Sequence, residues 1–128
     1  MPDFFFPAAG LPEEAVVDAY LDYLAHPGRE DASGVGFHVS NLVFLGPRDD
    51  AWRILVAAIE QTTSATVLCR IGAGDLENLV VNHGLEWIDA IEERAADSPN
   101  FRTALGCVWG GDPPVRERID ALLASPAS

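Results

Sequence analysis

Apolar residues recur along most of this chain at three- and four-residue spacings, the period of an α-helix. The sharpest pattern lies in residues 71–94, IGAGDLENLVVNHGLEWIDAIEER. Leu76, Leu79, Val80 and His83 fall at i, i+3, i+4 and i+7 and so share one helical face. Asp75 and Glu77 then stand in the first turn, where carboxylates face the positive end of the helix dipole and its unpaired N–H groups. Gly72, Ala73 and Gly74 are expected to break the chain before this helix, and Gly84 to end it in the left-handed conformation. A second helix is expected from Leu85 to about Ala96. At about 100° per residue, Trp87, Ile88, Ile91 and Ala95 share one side of it, with Glu86, Asp89, Glu93 and Asp97 opposite. The pair predicts a central αα-hairpin with Gly84 at its corner.

The same pattern extends in both directions. Pro12 suits the first turn of a helix ending near Ala25, with Val16, Ala19, Tyr20, Tyr23 and Leu24 as its apolar positions. Glu14, Asp18 and Asp22 form a row of like charges on it, each repelling the next. Residues 27–36 are predicted as an exposed loop. Residues 38–45, HVSNLVFL, fit a short strand by composition, but a helix starting near Ser40 or Asn41 agrees better with helical neighbours. After a Gly46-Pro47 turn, Asp49 or Asp50 is expected to cap a helix to about Gln61 that buries Trp52, Leu55, Val56 and Ile59. A short apolar element covers residues 65–71. Ser98-Pro99 opens a helix to about Cys107 that buries Phe101 and Leu105, and Asp112-Pro113-Pro114 opens the last one, lined by Val115, Ile119, Leu122 and Leu123. Phe4, Phe5 and Phe6 form an aromatic arm within residues 1–10, expected to dock on its own domain, while residues 124–128 are expected to fray. The prediction is an all-α fold, a single domain over residues 1–128 built from six to eight short helices.

At 128 residues, 48% of them hydrophobic, the chain has the length and apolar content to bury a core without staples. Charge narrows the choice of partner. Asp and Glu number 20 against 8 Lys and Arg, a formal net charge of −12, and every one of those bases is arginine. Such a field argues against nucleic acid and anionic membranes, and it favours a basic protein reached by electrostatic steering. No stretch approaches a membrane span, and the opening MPDFFFPAAG is no secretory signal, being broken by Pro7 and carrying Asp3. A cytoplasmic protein is therefore expected. Cys69 and Cys107 lie outside any C-x-x-C pattern and are expected as buried free thiols. No ligand spacing combines them with His26, His38 or His83, so neither metal nor cofactor is expected.

The candidate chemistry is sparse. No G-x-S-x-G elbow, P-loop or EF-hand loop occurs. Gly72-Ala73-Gly74 resembles the start of a dinucleotide fingerprint, but the third glycine is missing and Asp75 and Glu77 would repel phosphate. His83 has two readings. In one it is a general base or ligand oriented by Glu77 or Asp75, with Trp87 beside it, in a small hydrolase or ligand-binding domain. In the other it is a helix-end imidazole favoured by the negative dipole end, and Glu77 a first-turn carboxylate. The six-residue separation of Glu77 and His83, which keeps them off one helical face, favours the second. The rows Glu14/Asp18/Asp22 and Glu86/Asp89/Glu93/Asp97 are the candidate partner-binding surface, as in an immunity protein that neutralises a basic bacterial toxin.

One stretch is also familiar as a whole. Residues 50–120, with IGAGDLENLVVNHGLEWIDAIEERA at their centre, resemble a small bacterial helical domain belonging to a family of unknown function. Its pattern is A-A-G-P-L-E-D-L-L-x-x-H-G-x-x-F-I-D-x-I-E. Gly74, Leu76, Glu77, Leu79, His83, Gly84, Ile88, Asp89 and Glu92 match, while Asp75, Asn78 and Trp87 replace its Pro, Asp and Phe. The resemblance implies a compact helical domain and no activity. It draws attention to Glu77, His83 and Trp87.

Overall fold

Every regular element of the computed structural model, which describes residues 10–30 and 34–125, is helical. In chain order these are α1 (Glu13–Ala25), α2 (Val35–Leu45), α3 (Arg48–Gln61), α4 (Ala65–Ile71), a π-helical turn (Gly72–Leu76), α5 (Glu77–Asp97), α6 (Pro99–Leu105) and α7 (Pro113–Ala124). The arm expected at residues 1–10 lies, except for Gly10, outside the described residues. So does the end of the expected frayed tail, although Ala124 still belongs to α7.

α1 packs on α2, α3 and α4; α6 lies against α4, α3 and α5; and α7 closes over α5. The apolar faces meet in one core, in which Tyr20, Leu55, Ile59, Ile71, Leu76, Leu79, Ile91, Phe101, Leu105 and Ile119 are fully buried. The spacings of α5, α6 and α7 place the buried side as expected; α1 buries Val16 and Tyr20 as expected, but Val17 joins the core and Tyr23 is exposed. In α3 the buried side is Ala51, Ile54, Leu55, Ala58 and Ile59, a rotation from the expected face that leaves Trp52 and Val56 partly covered. Residues 38–45 are helical. Their helix starts earlier than expected, at Val35, because Gly34 takes a left-handed φ of 69° that turns the preceding loop into it. Ser40 is consequently inside α2 and not at its start.

Two caps are side-chain caps. The Ser64 hydroxyl accepts the Val67 N–H at 3.2 Å, and the Ser98 hydroxyl accepts the Phe101 N–H at 3.0 Å while donating to Glu60. Ser98→Ala should therefore cost about 1–2 kcal/mol in a urea denaturation series, an effect absent if the cap is idle. α3 has no such cap: its N-cap is Pro47, after a cis Gly46-Pro47 bond, and Asp49 and Asp50 lie in the first turn.

The central stretch departs most from expectation. Gly72, Ala73 and Gly74 do not interrupt the chain; they carry it helically from α4 into α5 through the π-turn. Gly72 is required there for space, since a Cβ would lie 1.9 Å from the Ala104 carbonyl oxygen of α6. The expected corner is also displaced. His83, with φ/ψ of −140°/24°, carries the kink inside α5, and Gly84 is not among the positive-φ residues. Gly84 serves instead as a contact, its Cα facing Val115 of α7, whose methyls a Cβ would meet at 3.0 Å. The cysteines are likewise not free thiols. Bringing α6 against α4 at Gly72 also brings Cys107 to Cys69, with Cα atoms 5.3 Å apart, and the two form a disulfide bond. A separation of 38 residues gave no pattern from which to expect it.

Candidate functional site

All seven acidic residues of the two predicted rows are exposed. They stand on α1 and α5, helices that share no extensive contact. On α1, Asp18 accepts a hydrogen bond from Gln61 at 2.8 Å, and Asp22 one from Arg29 at 3.2 Å. On α5, Asp89 is bound together with Glu92 by Arg118, at 2.7 Å to Asp89. Those two carboxylates, Glu92 foremost, hold the Arg118 guanidinium more firmly charged than usual.

Most of the basic side chains are spent inside the molecule. Arg53 bonds Glu13 and Asp50, Arg70 the Leu24 carbonyl, Arg94 pairs with Glu60, and Arg102 bonds the carbonyls of Leu122 and Ser125. Arg116 bonds Asp120 and the carbonyls of Val108 and Gly110. Glu14, Glu86, Glu93 and Asp97 have no partner among the described residues. Those four carboxylates are therefore the exposed negative charge of the two rows that no arginine offsets by direct contact.

Glu77 is the first residue of α5, where the chain runs helically on from the π-turn and leaves no free helix end for the expected dipole contact; its carboxylate instead accepts the Trp109 N–H at 3.3 Å. His83 is half-buried at the kink and lines a shallow cleft of about 230 Å³ with Asn82, Leu85, Glu86 and Asp112. Glu77 does not line this cleft, so the structure does not bring the pair together. Trp87 is turned into the core, stacked on Trp52 with centroids 5.3 Å apart, and Trp52 meets Phe101 edge-on at 5.6 Å. Its indole N–H is buried without a hydrogen-bond partner among the described residues.

Two further polar groupings were not visible in the sequence. Asp75 lies in the π-turn and accepts hydrogen bonds from Tyr20 at 2.6 Å and Ser40 at 2.8 Å, tying α1, α2 and the turn together. Burial above all, then the charge and hydrogen bond of Asp75, raise the Tyr20 phenol well above its ordinary range. In the second, a cleft of about 270 Å³ between α1, α2 and α3 holds His38, Asp50, Arg53 and Glu13. Burial pushes the His38 imidazole below its ordinary pKa, and Asp50 partly opposes this. Arg53 is closed there by both carboxylates, which leaves no free cation for an anionic ligand. No group of three or more His, Cys, Asp or Glu among the described residues is placed to hold a metal ion. No described helix is long and apolar enough to cross a membrane.

Four of the positions that carry the resemblance act as fasteners. Asp89 and Glu92 take Arg118 of α7, Gly84 seats Val115 of α7, and Glu77 holds the loop that leads into α7. The fold and surface define an all-α domain in which most arginines are bonded within the fold while Glu14, Glu86, Glu93 and Asp97 stand in solvent without a counter-charge. Residues 35–126 match the Family of unknown function (DUF6869), and the chain belongs to that family. Neither a curated protein nor a solved structure gives a match.

Proposed function

We propose that this domain is an acidic binding protein of the inhibitor type, which covers a basic protein such as a bacterial toxin enzyme in the manner of an immunity protein. The observation that carries the reading is the distribution of charge. Most arginines are satisfied within the fold, whereas Glu14, Glu86, Glu93 and Asp97 reach solvent without a counter-charge. Unpaired surface charge of one sign adds little to stability, but it accelerates encounter with an oppositely charged protein. Glu77 and His83 do not enter the proposal, because Glu77 is committed to the Trp109 N–H and stands apart from the His83 cleft.

The partner is to be sought by affinity capture followed by mass spectrometry in cytoplasmic fractions, where the expected location places it. Oxidising fractions belong in the same search, since a disulfide bond persists there. With that partner in hand, the triple substitution Glu86→Arg, Glu93→Arg and Asp97→Arg should slow association about tenfold or more at low salt, with most of the difference gone near 0.5 M salt, where the Debye length is about fourfold shorter than at about 0.03 M. An association rate unchanged at low salt leaves the α5 row a solubilising surface and removes it from the proposal.

A further inference from the structure

Trp109 is 84% exposed, more than any other large apolar side chain among the described residues. The loop that carries it is tied down at several points. Cys107, two residues before it, is bonded to Cys69 of α4. Arg116 of α7 reaches back to the carbonyls on either side, Val108 at 3.0 Å and Gly110 at 3.1 Å. The Trp109 N–H itself is held by Glu77. Gly110 then seats the loop on α5, where a Cβ would come within 2.6 Å of a Val81 methyl. A backbone fixed in this way has already lost the freedom that binding would otherwise remove. Tryptophan is also among the residues that most often dominate the energy of a protein interface.

The surroundings specify the occupant. Val81, 45% exposed, meets this loop at Gly110, and Leu85, 68% exposed, lines the adjoining cleft with Val81 and Asp112 and extends the apolar area. Carboxylates border it: Glu86 and Asp112 are exposed at the adjoining cleft, and the guanidinium of Arg116 is turned inward. We infer that Trp109, flanked by Val81 and Leu85, is the anchor of a docking surface for a protein segment that carries an apolar face bordered by Arg or Lys. The inference rests on the basic-partner reading and gives it a location. A second copy of this chain, or an anionic membrane, would bring negative charge against the same rim and is disfavoured by it.

The test uses the full chain and synthetic helical peptides as probes: one of leucine and arginine with a single apolar face, one with serine in place of leucine, and one with glutamate in place of arginine. Binding is followed by amide and indole N–H chemical shifts and by titration. The leucine–arginine peptide should shift the Trp109 indole signal and the amides of Val81 and Leu85. Trp109→Ala, a change at a solvent-facing side chain, should weaken its binding about tenfold or more, with the circular dichroism spectrum unchanged. Equal binding by the wild type and Trp109→Ala overturns the anchor. If the serine–arginine peptide then binds as well as the leucine–arginine one, the acidic reading survives without it. Binding of the leucine–glutamate peptide at Trp109 as tight as that of the leucine–arginine peptide overturns the basic occupant, and with it the support the reading draws from this face.

Discussion

Gly72→Ala should destabilise the domain by about 3 kcal/mol or more and lower its melting temperature by roughly 10 °C. In most helical positions the same change helps, because alanine has the better helix propensity and a less mobile unfolded state. Here the added methyl would stand 1.9 Å from the Ala104 carbonyl oxygen, 2.8 Å from its carbon and 3.1 Å from the Cys107 Cβ. Two of those neighbours are backbone atoms of α6, so relief requires moving a helix, not a side chain. Gly74, two residues on in the same π-turn, is the internal control. Nothing lies within 4 Å of its Cβ position, and Gly74→Ala should raise stability by about 0.5 kcal/mol. Equilibrium urea denaturation of both variants measures the contrast. A Gly72→Ala variant as stable as the wild type, or more so, would mean that the π-turn and α6 do not meet at Gly72.

That contrast also shows where the sequence could be read and where it could not. Periodicity located the helices and most of their buried sides, because the transfer of apolar surface from water decides which face turns inward regardless of what it meets. Val16 and Tyr20 on α1, Ile88 and Ile91 on α5, and Val115 and Ile119 on α7 were legible for that reason. What a residue meets is a different matter. Gly72-Ala73-Gly74 has the composition of a breaker, yet Gly72 serves a contact with Ala104, more than thirty residues away along the chain, a nonlocal packing problem of the kind that overrides propensity. Gly84 carries a similar lesson, since its value lies in the room it leaves for Val115 and not in left-handed backbone. The union of Cys69 with Cys107 follows from that same approach of α6 to α4. Among the candidate site residues, the acidic rows were legible because exposure of alternate helical faces follows from the apolar pattern. Glu77 was readable as a first-turn carboxylate, but its bond to Trp109 was not, and nothing in the spacing marked Trp109 as more than the end of a helix.

Asp75 offers the second large effect, and it combines packing with titration. Sequence placed this carboxylate in a first helical turn, facing the dipole and its unpaired N–H groups; the fold instead gives it two hydroxyl donors, Tyr20 at 2.6 Å and Ser40 at 2.8 Å. Tyr20 is fully buried, so Asp75→Ala strands its hydroxyl away from water, at an expected cost of about 2–3 kcal/mol. Tyr20→Phe should cost less, about 1 kcal/mol, because the half-buried carboxylate keeps Ser40 and access to water. The double variant should be less destabilised than the two single changes added together, the mark of a shared interaction. The pH dependence has a definite sign. Burial first, and then Asp75, raise the folded-state pKa of Tyr20 above its unfolded value of about 10. Its contribution is therefore present in full below about pH 10. Above that pH the unfolded chain releases a proton that the native chain retains, and stability falls by up to about 1.4 kcal/mol per pH unit until the folded pKa is reached. Urea denaturation of the wild type and Tyr20→Phe from pH 9 to pH 11 (about one unit either side of the unfolded value) isolates this slope. The variant should lack that component, so the two stabilities converge as the pH rises; parallel curves over the whole range would show that Tyr20 is not held as a buried, protonated donor to Asp75.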